Sequence, residues 1–189
     1  MKNRLKNLYQ SGSIDASGLL SAVAKGWITV DDVVEIVGED SATEVIKSAK
    51  IAEISTACNA VIVAGVDIKL DGETAHFNLS IEDQSNIANL FRVVELGGTE
   101  FPYQADGGVC RIYTAAEIAQ IYIAAQTLIT TQTTYHNALK AYVQALDDAE
   151  QIASVVYGMT LPEPYLSEMQ AKLTVAQTQM DAIIAKLGS

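Results

Sequence analysis

The chain has 189 residues, of which 49% are hydrophobic and 19% are charged, and its formal net charge at pH 7 is −11. Because an excess of carboxylates is repelled by phosphate backbones and anionic lipids, the composition argues against nucleic-acid binding. No apolar stretch approaches the roughly 20 residues that a membrane-spanning helix needs, so we expect no membrane insertion.

Residues 4–38 are predicted to form two short helices around a corner at Trp27 and Ile28. Asp15 or Ser17 can cap the first helix. An apolar residue just before a cap commonly folds back onto the new helix, so Trp27 and Ile28 are predicted to pin the two helices together. The alternative is that Trp27 is exposed and anchors a partner protein.

The same N-terminal stretch carries a resemblance to a known family. The sequence LYQSGSIDASGLLSAVAKGWITVDDVVEIVG resembles the small XkdX family of phage and prophage tail proteins, whose pattern falls here on Val23, Gly26, Ile28, Thr29, Ile36 and Gly38. The resemblance implies that residues 1–40 are a docking segment of a tail protein.

Residues 41–113 are predicted to form a small α+β domain. Ser41 and Glu44 have the spacing of a capping box at the start of a helix, and Gly65 ends that helix. The stretch VDIKLDGETAHFNLS is typical of a hairpin, because its alternating sides meet at Asp71-Gly72, a dipeptide that supplies the positive φ angles of a tight turn. A further helix over 81–98 and two short strands within FPYQADGGVCRIY follow.

A second resemblance covers this middle region and extends from residue 43 to about residue 130. The order of its motifs is similar to that of an uncharacterised domain found in phage tail fibre and tail-tip proteins. The matching residues are Cys58, Asn59, Gly65, Asp83, Gln84, Asn86, Thr114 and Glu117. This resemblance implies a place in a tail but brings no catalytic residue.

A long helix is predicted to begin at the capping box Thr114–Glu117 and to run to Tyr157. Its apolar and small residues recur at seven-residue spacing in two rows: Ile118, Ala125, Gln132, Leu139, Leu146 and Ala153, and Ile121, Leu128, Tyr135, Tyr142, Ala149 and Val156. Gln132, within TTQTT, either sets the register inside the seam or faces solvent at a break in the helix.

A last helix is predicted over residues 165–187, after two prolines that end the preceding structure. Its apolar residues alternate at gaps of three and four, as in a coiled coil: Leu166, Met169, Leu173, Ala176, Met180, Ile183 and Leu187. We therefore expect residues 114–189 to form an antiparallel helical hairpin that self-associates, with a trimer favoured. The alternative is a self-contained bundle with the N-terminal helices.

The sequence contains no convincing catalytic or metal-binding pattern. Cys58 or Cys110 with His76 or His136 is the only nucleophile arrangement available, and Cys58 lies among alanines and valines, where thiols are usually inert. There is no CxxC, HxxxH, EF-hand or phosphate loop. We predict that the protein is not an enzyme and takes no cofactor or metal; cleavage of cell-wall material is the remaining enzymatic alternative.

Together these features predict a mainly α fold with a small β-hairpin in an α+β middle and a long C-terminal antiparallel helical hairpin or coiled coil. The resemblances imply a structural protein of a bacteriophage tail, in the baseplate, tail tip or fibre attachment region, located in the virion and, during assembly, in the host cytoplasm. The alternative is a tail fibre assembly chaperone that is absent from the finished particle. The predicted contacts with other tail or fibre proteins and with further copies are Trp27, Ile28, Ile118, Ile121, Leu128, Gln132, Tyr135, Leu139, Tyr142, Leu146, Leu166, Leu173, Met180 and Ile183.

Overall fold

The computed structural model describes residues 1–187, and these are mostly helical with two pairs of short antiparallel strands. The helices are α1 (Lys2–Gln10), α2 (Ala16–Ala24), α3 (Val30–Val37), α4 (Glu39–Val63), α5 (Ile81–Glu95), α6 (Ala115–Ala145), α7 (Ala149–Ser154) and α8 (Tyr165–Leu187). The strands are β1 (Val66–Leu70), β2 (Glu73–Phe77), β3 (Glu100–Tyr103) and β4 (Arg111–Thr114). The predicted mainly α fold with a small β element is therefore confirmed.

The described chain forms two compact units, each assembled from separate stretches. Unit 1 contains residues 1–57 and 136–168, and unit 2 contains residues 58–135 and the chain from Met169 onward. The division into consecutive segments 1–40, 41–113 and 114–189 stays a prediction. Gly188, Ser189 and the side chain of Leu187 lie outside the described residues.

Unit 1 begins with three short helices, where the sequence predicted two. The predicted cap at Asp15 is confirmed, since its carboxylate accepts a hydrogen bond of 2.9 Å from the Gly18 amide. The additional helix is α1, which buries Leu5. Its Lys2 ammonium lies 2.8 Å from the Asp32 carboxylate of α3, so the basic first turn is held by an acidic neighbour.

Helix α4 starts earlier than predicted. It begins at Glu39, directly after Gly38, so Ser41 and Glu44 lie inside its first turns instead of forming the predicted capping box. Glu39 and Asp40 occupy the first turn, where the helix dipole favours carboxylates. In unit 1 the helix buries Ile46 and Ile54 completely, which explains the helical apolar spacing of this stretch.

In unit 2, α4 is followed by the predicted β1–β2 hairpin. Leu70 pairs with Glu73 across the turn, and both turn residues have positive φ angles, 49° at Asp71 and 89° at Gly72. Gly65 connects α4 to the hairpin with a φ of 85°, and a Cβ added there would lie 2.1 Å from the Phe77 carbonyl oxygen. Only glycine fits this junction, because the backbone of β2 passes directly over it.

The second strand pair, β3–β4, packs aromatic rings against the first hairpin within unit 2. Tyr113 is almost fully buried and makes edge-on contacts with Phe77 and Tyr103 at centroid distances of 6.2 Å. Phe91 of α5 stacks on Tyr122 of α6 at 4.0 Å. Aromatic contacts of this kind add to the area that the rings bury and fix the strand pairs against the helices.

The predicted helix from Thr114 to Tyr157 is wrong at its C-terminal end. Its start is confirmed, since the Thr114 hydroxyl accepts from the Glu117 amide at 3.3 Å and the Glu117 carboxylate accepts from the Thr114 amide at 2.8 Å. However, α6 ends at Ala145, and Asp148 begins the separate helix α7 by accepting a hydrogen bond from the Gln151 amide at 2.8 Å. An aspartate favours such a capping position over a helix interior.

The threonine-rich stretch around Gln132 does not break α6. The helix is continuous there, and the Thr133 hydroxyl donates to the Ile129 carbonyl at 2.7 Å, one turn back. This side-chain bond satisfies the hydroxyl inside a helix despite the low helix propensity of threonine. Gln132 is half-buried, so the predicted alternative of a solvent-facing break is wrong.

Candidate interaction surface

Helix α8 has an apolar side that the chain itself covers only in part. The predicted seam residues Leu166, Met169, Leu173, Ala176, Met180 and Ile183 are all half-buried, and every other residue from Ser167 to Lys186 is exposed. The spacing therefore identifies the inward side of the helix correctly. None of these side chains is fully buried, in contrast to Leu139 and Val143 on α6, which are completely buried in unit 1.

Two grooves within unit 2 show where the coverage of α8 is incomplete. The first has a volume of about 560 Å³ and lies between Thr127, Thr130 and Thr131 of α6 and Leu173, Ala176 and Met180 of α8. The second has a volume of about 860 Å³, and its lining includes Ile68, Val94, Ala119, Ile123 and Ile184. Side chains inside a protein pack so closely that few gaps are larger than a water molecule. Gaps as large as these two grooves therefore show that the side chains of this chain do not fill the space beside α8.

Helices α6 and α8 are electrically neutral, although the chain is strongly acidic. Each carries equal numbers of acidic and basic residues: Glu117 with Lys140 on α6, and Glu168 and Asp181 with Lys172 and Lys186 on α8. The whole net charge of −11 therefore resides on the rest of the chain. The α6 and α8 surfaces therefore add no net charge to the repulsion that another acidic molecule meets.

The predicted contact residues separate into three groups by exposure. Ile28, Ile118, Ile121 and Leu139 are buried in the chain's own core. Trp27 is exposed, with 51% of its surface in solvent. The remainder are half-buried: Leu128, Gln132, Tyr135, Tyr142, Leu146, Leu166, Leu173, Met180 and Ile183. Only the exposed and half-buried residues offer surface to a partner while the fold is intact.

Trp27 and Ile28 have different environments at the corner between α2 and α3. Ile28 is buried directly before the cap Thr29, and Val33, four residues after the cap, is also buried, as in a hydrophobic staple. Trp27 lies on the surface, and the Lys25 ammonium is 4.9 Å from its ring centroid. The pinning role predicted for both residues therefore falls to Ile28, and the anchor interpretation remains for Trp27.

Glu117 joins the start of α6 to strand β4 in unit 2. Its carboxylate accepts a hydrogen bond from the Arg111 guanidinium at 2.7 Å as well as the bonds from Thr114, and the Arg111 guanidinium lies 3.7 Å from the Tyr113 ring centroid. Burial raises the pKa of Glu117, but the hydrogen bonds from Arg111 and Thr114 outweigh burial, so its pKa is lowered. Glu117 is therefore ionised near neutral pH and holds the helix to the strand.

The cysteines and histidines do not form the catalytic pair that the sequence allowed on paper. Cys58 is buried in unit 2, and its thiol faces the Gln132 carbonyl oxygen at 3.5 Å; Cys110 is exposed. His136 instead contacts the Ser55 hydroxyl at 2.9 Å in unit 1, a pairing across 81 residues that sequence reasoning missed. Burial lowers the pKa of His136 and the nearby Lys140 ammonium lowers it further, so its imidazole is neutral near pH 7.

Among residues 1–187, no three histidine, cysteine, aspartate or glutamate side chains come together in an arrangement that could hold a metal ion. Within the same part of the chain, no helix is both long enough and apolar enough to cross a membrane.

Comparison with known proteins gives one result. No curated protein and no solved structure matches the chain. The model of a family described as "Domain of unknown function (DUF4376)" matches residues 45–156, more than half of the chain, from within α4 to just after α7. The chain therefore belongs to the DUF4376 family.

Proposed function

We propose that this protein is a structural component of a bacteriophage tail or a phage-like particle, in the baseplate, tail tip or fibre attachment region. It acts by protein–protein interaction and has no catalytic role. The resemblances of residues 8–38 to the XkdX family, and of the middle region to a domain of tail fibre and tail-tip proteins, support the tail location. Protein–protein interaction is supported by the surface of α8.

The observation that carries this proposal is the half-buried apolar seam of α8. Six apolar side chains at alternating gaps of three and four lie on one side of a helix of 23 residues, and none is fully buried. A seam of this spacing packs well only against other helices. The grooves beside Leu173 and Ile184 leave part of the α8 surface open on unit 2.

A second copy of this chain is the partner that we propose for the seam. Two molecules of charge −11 repel each other, but α6 and α8 are neutral and add nothing to this repulsion. The proposal therefore includes a homo-oligomer, with a trimer favoured, in which α8 completes an antiparallel coiled coil with α6 and with helices of other copies. Other tail or fibre proteins then bind elsewhere, with exposed Trp27 as the candidate anchor.

Light scattering of purified variants tests the role of the seam. Leu173→Asp combined with Met180→Asp places two charges in the seam and should reduce the wild-type oligomer to monomers. Ala171→Asp combined with Thr178→Asp adds the same charge to exposed positions of α8 and should leave the oligomer intact. Circular dichroism establishes that each variant remains helical, and Leu173→Ala with Met180→Ala is a milder version of the seam change.

A monomeric wild type at micromolar concentration, or equal effects of the two Asp pairs, would contradict a seam-based oligomer. The tail location needs a different measurement. Mass spectrometry of purified particles should detect the protein in fixed proportion to the major tail proteins. Detection in the lysate but not in the particles would favour an assembly chaperone.

A further inference from the structure

A small polar pocket in unit 2 lies where three elements meet, and none of the preceding functions uses it. Its volume is about 140 Å³. The lining comes from the end of β2, the start of α5 and the end of β3 with the loop that follows: Phe77, Asn78, Asp83, Asn86, Tyr103, Gln104 and Asp106. No lysine, arginine or histidine is among these lining residues. The pocket is therefore rich in hydrogen-bonding groups and carries the charge of two carboxylates.

Hydrogen bonds within the chain hold both carboxylates in place and leave one oxygen of each available. The Oδ2 atom of Asp83 accepts from the Ser80 hydroxyl at 2.7 Å and from the Ser80 amide at 3.2 Å. The Oδ2 atom of Asp106 accepts from the Asn78 amide at 2.7 Å. In the part of the chain that the structure describes, neither Oδ1 atom has a hydrogen-bond donor. The pocket therefore contains two fixed acceptors that can bind a donor from another molecule.

Groups that can donate lie beside these carboxylates. Within residues 1–187, the side-chain amides of Asn86 and Gln104 and the Tyr103 hydroxyl make no hydrogen bond to another residue. Burial raises the pKa of Tyr103 above its ordinary value of 10.0, and the carboxylates of Asp83 and Asp106 raise it further, so the hydroxyl keeps its proton near neutral pH. The pocket thus combines oxygens that only accept with amides and a hydroxyl that both donate and accept.

The sequence motif at the start of α5 adds an independent argument. Asp83, Gln84 and Asn86 carry part of the resemblance of the middle region. Asp83 completes the cap of α5 with Ser80, and the Gln84 side chain donates to the Leu79 carbonyl oxygen at 2.8 Å. Asn86 is exposed and has no such side-chain bond in the described chain, so its place in the pocket is the role that the structure offers for it.

We propose that this pocket binds the ring of a neutral sugar. Each sugar hydroxyl both donates and accepts hydrogen bonds, which matches carboxylate oxygens that lie beside amides. Phe77 and Tyr103, whose rings are parallel at a centroid distance of 6.3 Å, supply apolar surface for the C–H groups of the sugar ring. A metal ion would use the acceptors alone, and an anion would meet two carboxylates with no basic residue in the lining. A neutral molecule with many hydroxyls uses all the groups that the pocket offers.

Nuclear magnetic resonance of the full chain tests the site. Glucose, galactose and N-acetylglucosamine are added separately, and the backbone and side-chain amide signals are followed. At least one sugar should shift the signals of Asn86 and Gln104 until they saturate. We expect a dissociation constant of about 1–10 mM, because a small open pocket leaves much of the sugar in water. No saturable shift with any of the three sugars, or shifts confined to residues outside the pocket, would overturn the proposal.

Two variants and one salt provide the controls. Asn86→Ala should weaken sugar binding by about three- to tenfold, the size of one or two lost hydrogen bonds. Asn89→Ala changes an exposed asparagine of α5 that does not line the pocket, so it should leave binding unchanged. Equal effects of the two substitutions would contradict the site. Calcium chloride is added without sugar to test a metal ion, and shifts of the pocket signals with calcium but with none of the sugars would overturn the sugar proposal.

Discussion

Replacing Gly65 by alanine should be far more destabilising than replacing Gly72, although both residues have positive φ angles, 85° and 89°. At Gly72 an added Cβ meets no atom within 4 Å, so only the backbone conformation is penalised, by about 1–2 kcal/mol. At Gly65 the Cβ would lie 2.1 Å from the Phe77 carbonyl oxygen and 2.7 Å from the Asn78 Cα. Because these are backbone atoms, no side-chain rotation relieves the overlap, and β2 must move away from the end of α4.

We expect a loss of about 4 kcal/mol or more for Gly65→Ala, which is in the range of the most damaging single substitutions. Urea unfolding followed by circular dichroism measures the free energy of unfolding of both variants and the wild type. Gly72→Ala is the matched control for the φ angle, so the difference between the variants isolates the close approach at Gly65. Equal losses in the two variants would refute this account of the junction.

Two further predictions concern unit 1 and the Glu117 contacts. Ile28→Ala should lower the free energy of unfolding by about 2–5 kcal/mol, because Ile28 is buried. Trp27→Ala should lower it by less, because Trp27 is exposed, and should weaken the capture of a partner in a pull-down. The reverse order of stabilities would contradict the staple at Ile28. Glu117→Gln should lower the free energy of unfolding by about 1–3 kcal/mol at pH 7. Because the pKa of Glu117 is lowered in the folded protein, the difference in stability between the variant and the wild type should shrink as the pH falls through and below 4.5. A difference that stays constant from pH 7 to pH 3 would show that the Glu117 charge does not stabilise the fold.

Local patterns predicted several elements of this fold from the sequence. Asp71-Gly72 identified the first hairpin because only a few dipeptides accept two positive φ angles. Thr114 and Glu117 identified the start of α6 because a capping box needs only residues three positions apart. The apolar spacing of α8 predicted its inward side down to individual residues, from Leu166 to Ile183. In each case the signal and the structure involve the same few neighbouring residues.

The features that the sequence did not predict depend on residues far apart in the chain, or on a residue that can either cap a new helix or continue the preceding one. The end of α6 at Ala145 depends on Asp148, whose capping role competes with continuation of an otherwise helical pattern. The pairing of Ser55 with His136 and the contact of Asp106 with His76 appear only when the chain has folded. The same holds for the two units, since each brings together stretches that are far apart in the chain.

The neutrality of α6 and α8 has a consequence for how ionic strength acts on this protein. Dissolved salt screens the forces between charges, and neither α6 nor α8 has a net charge through which two copies would repel or attract each other. Association through α6 and α8 should therefore persist from dilute buffer to concentrated salt. Added ions should only weaken the repulsion between the acidic residues on the other parts of the associating chains. Contacts that depend on carboxylates elsewhere on the surface should weaken over the same range, so a simple salt series separates the two kinds of contact.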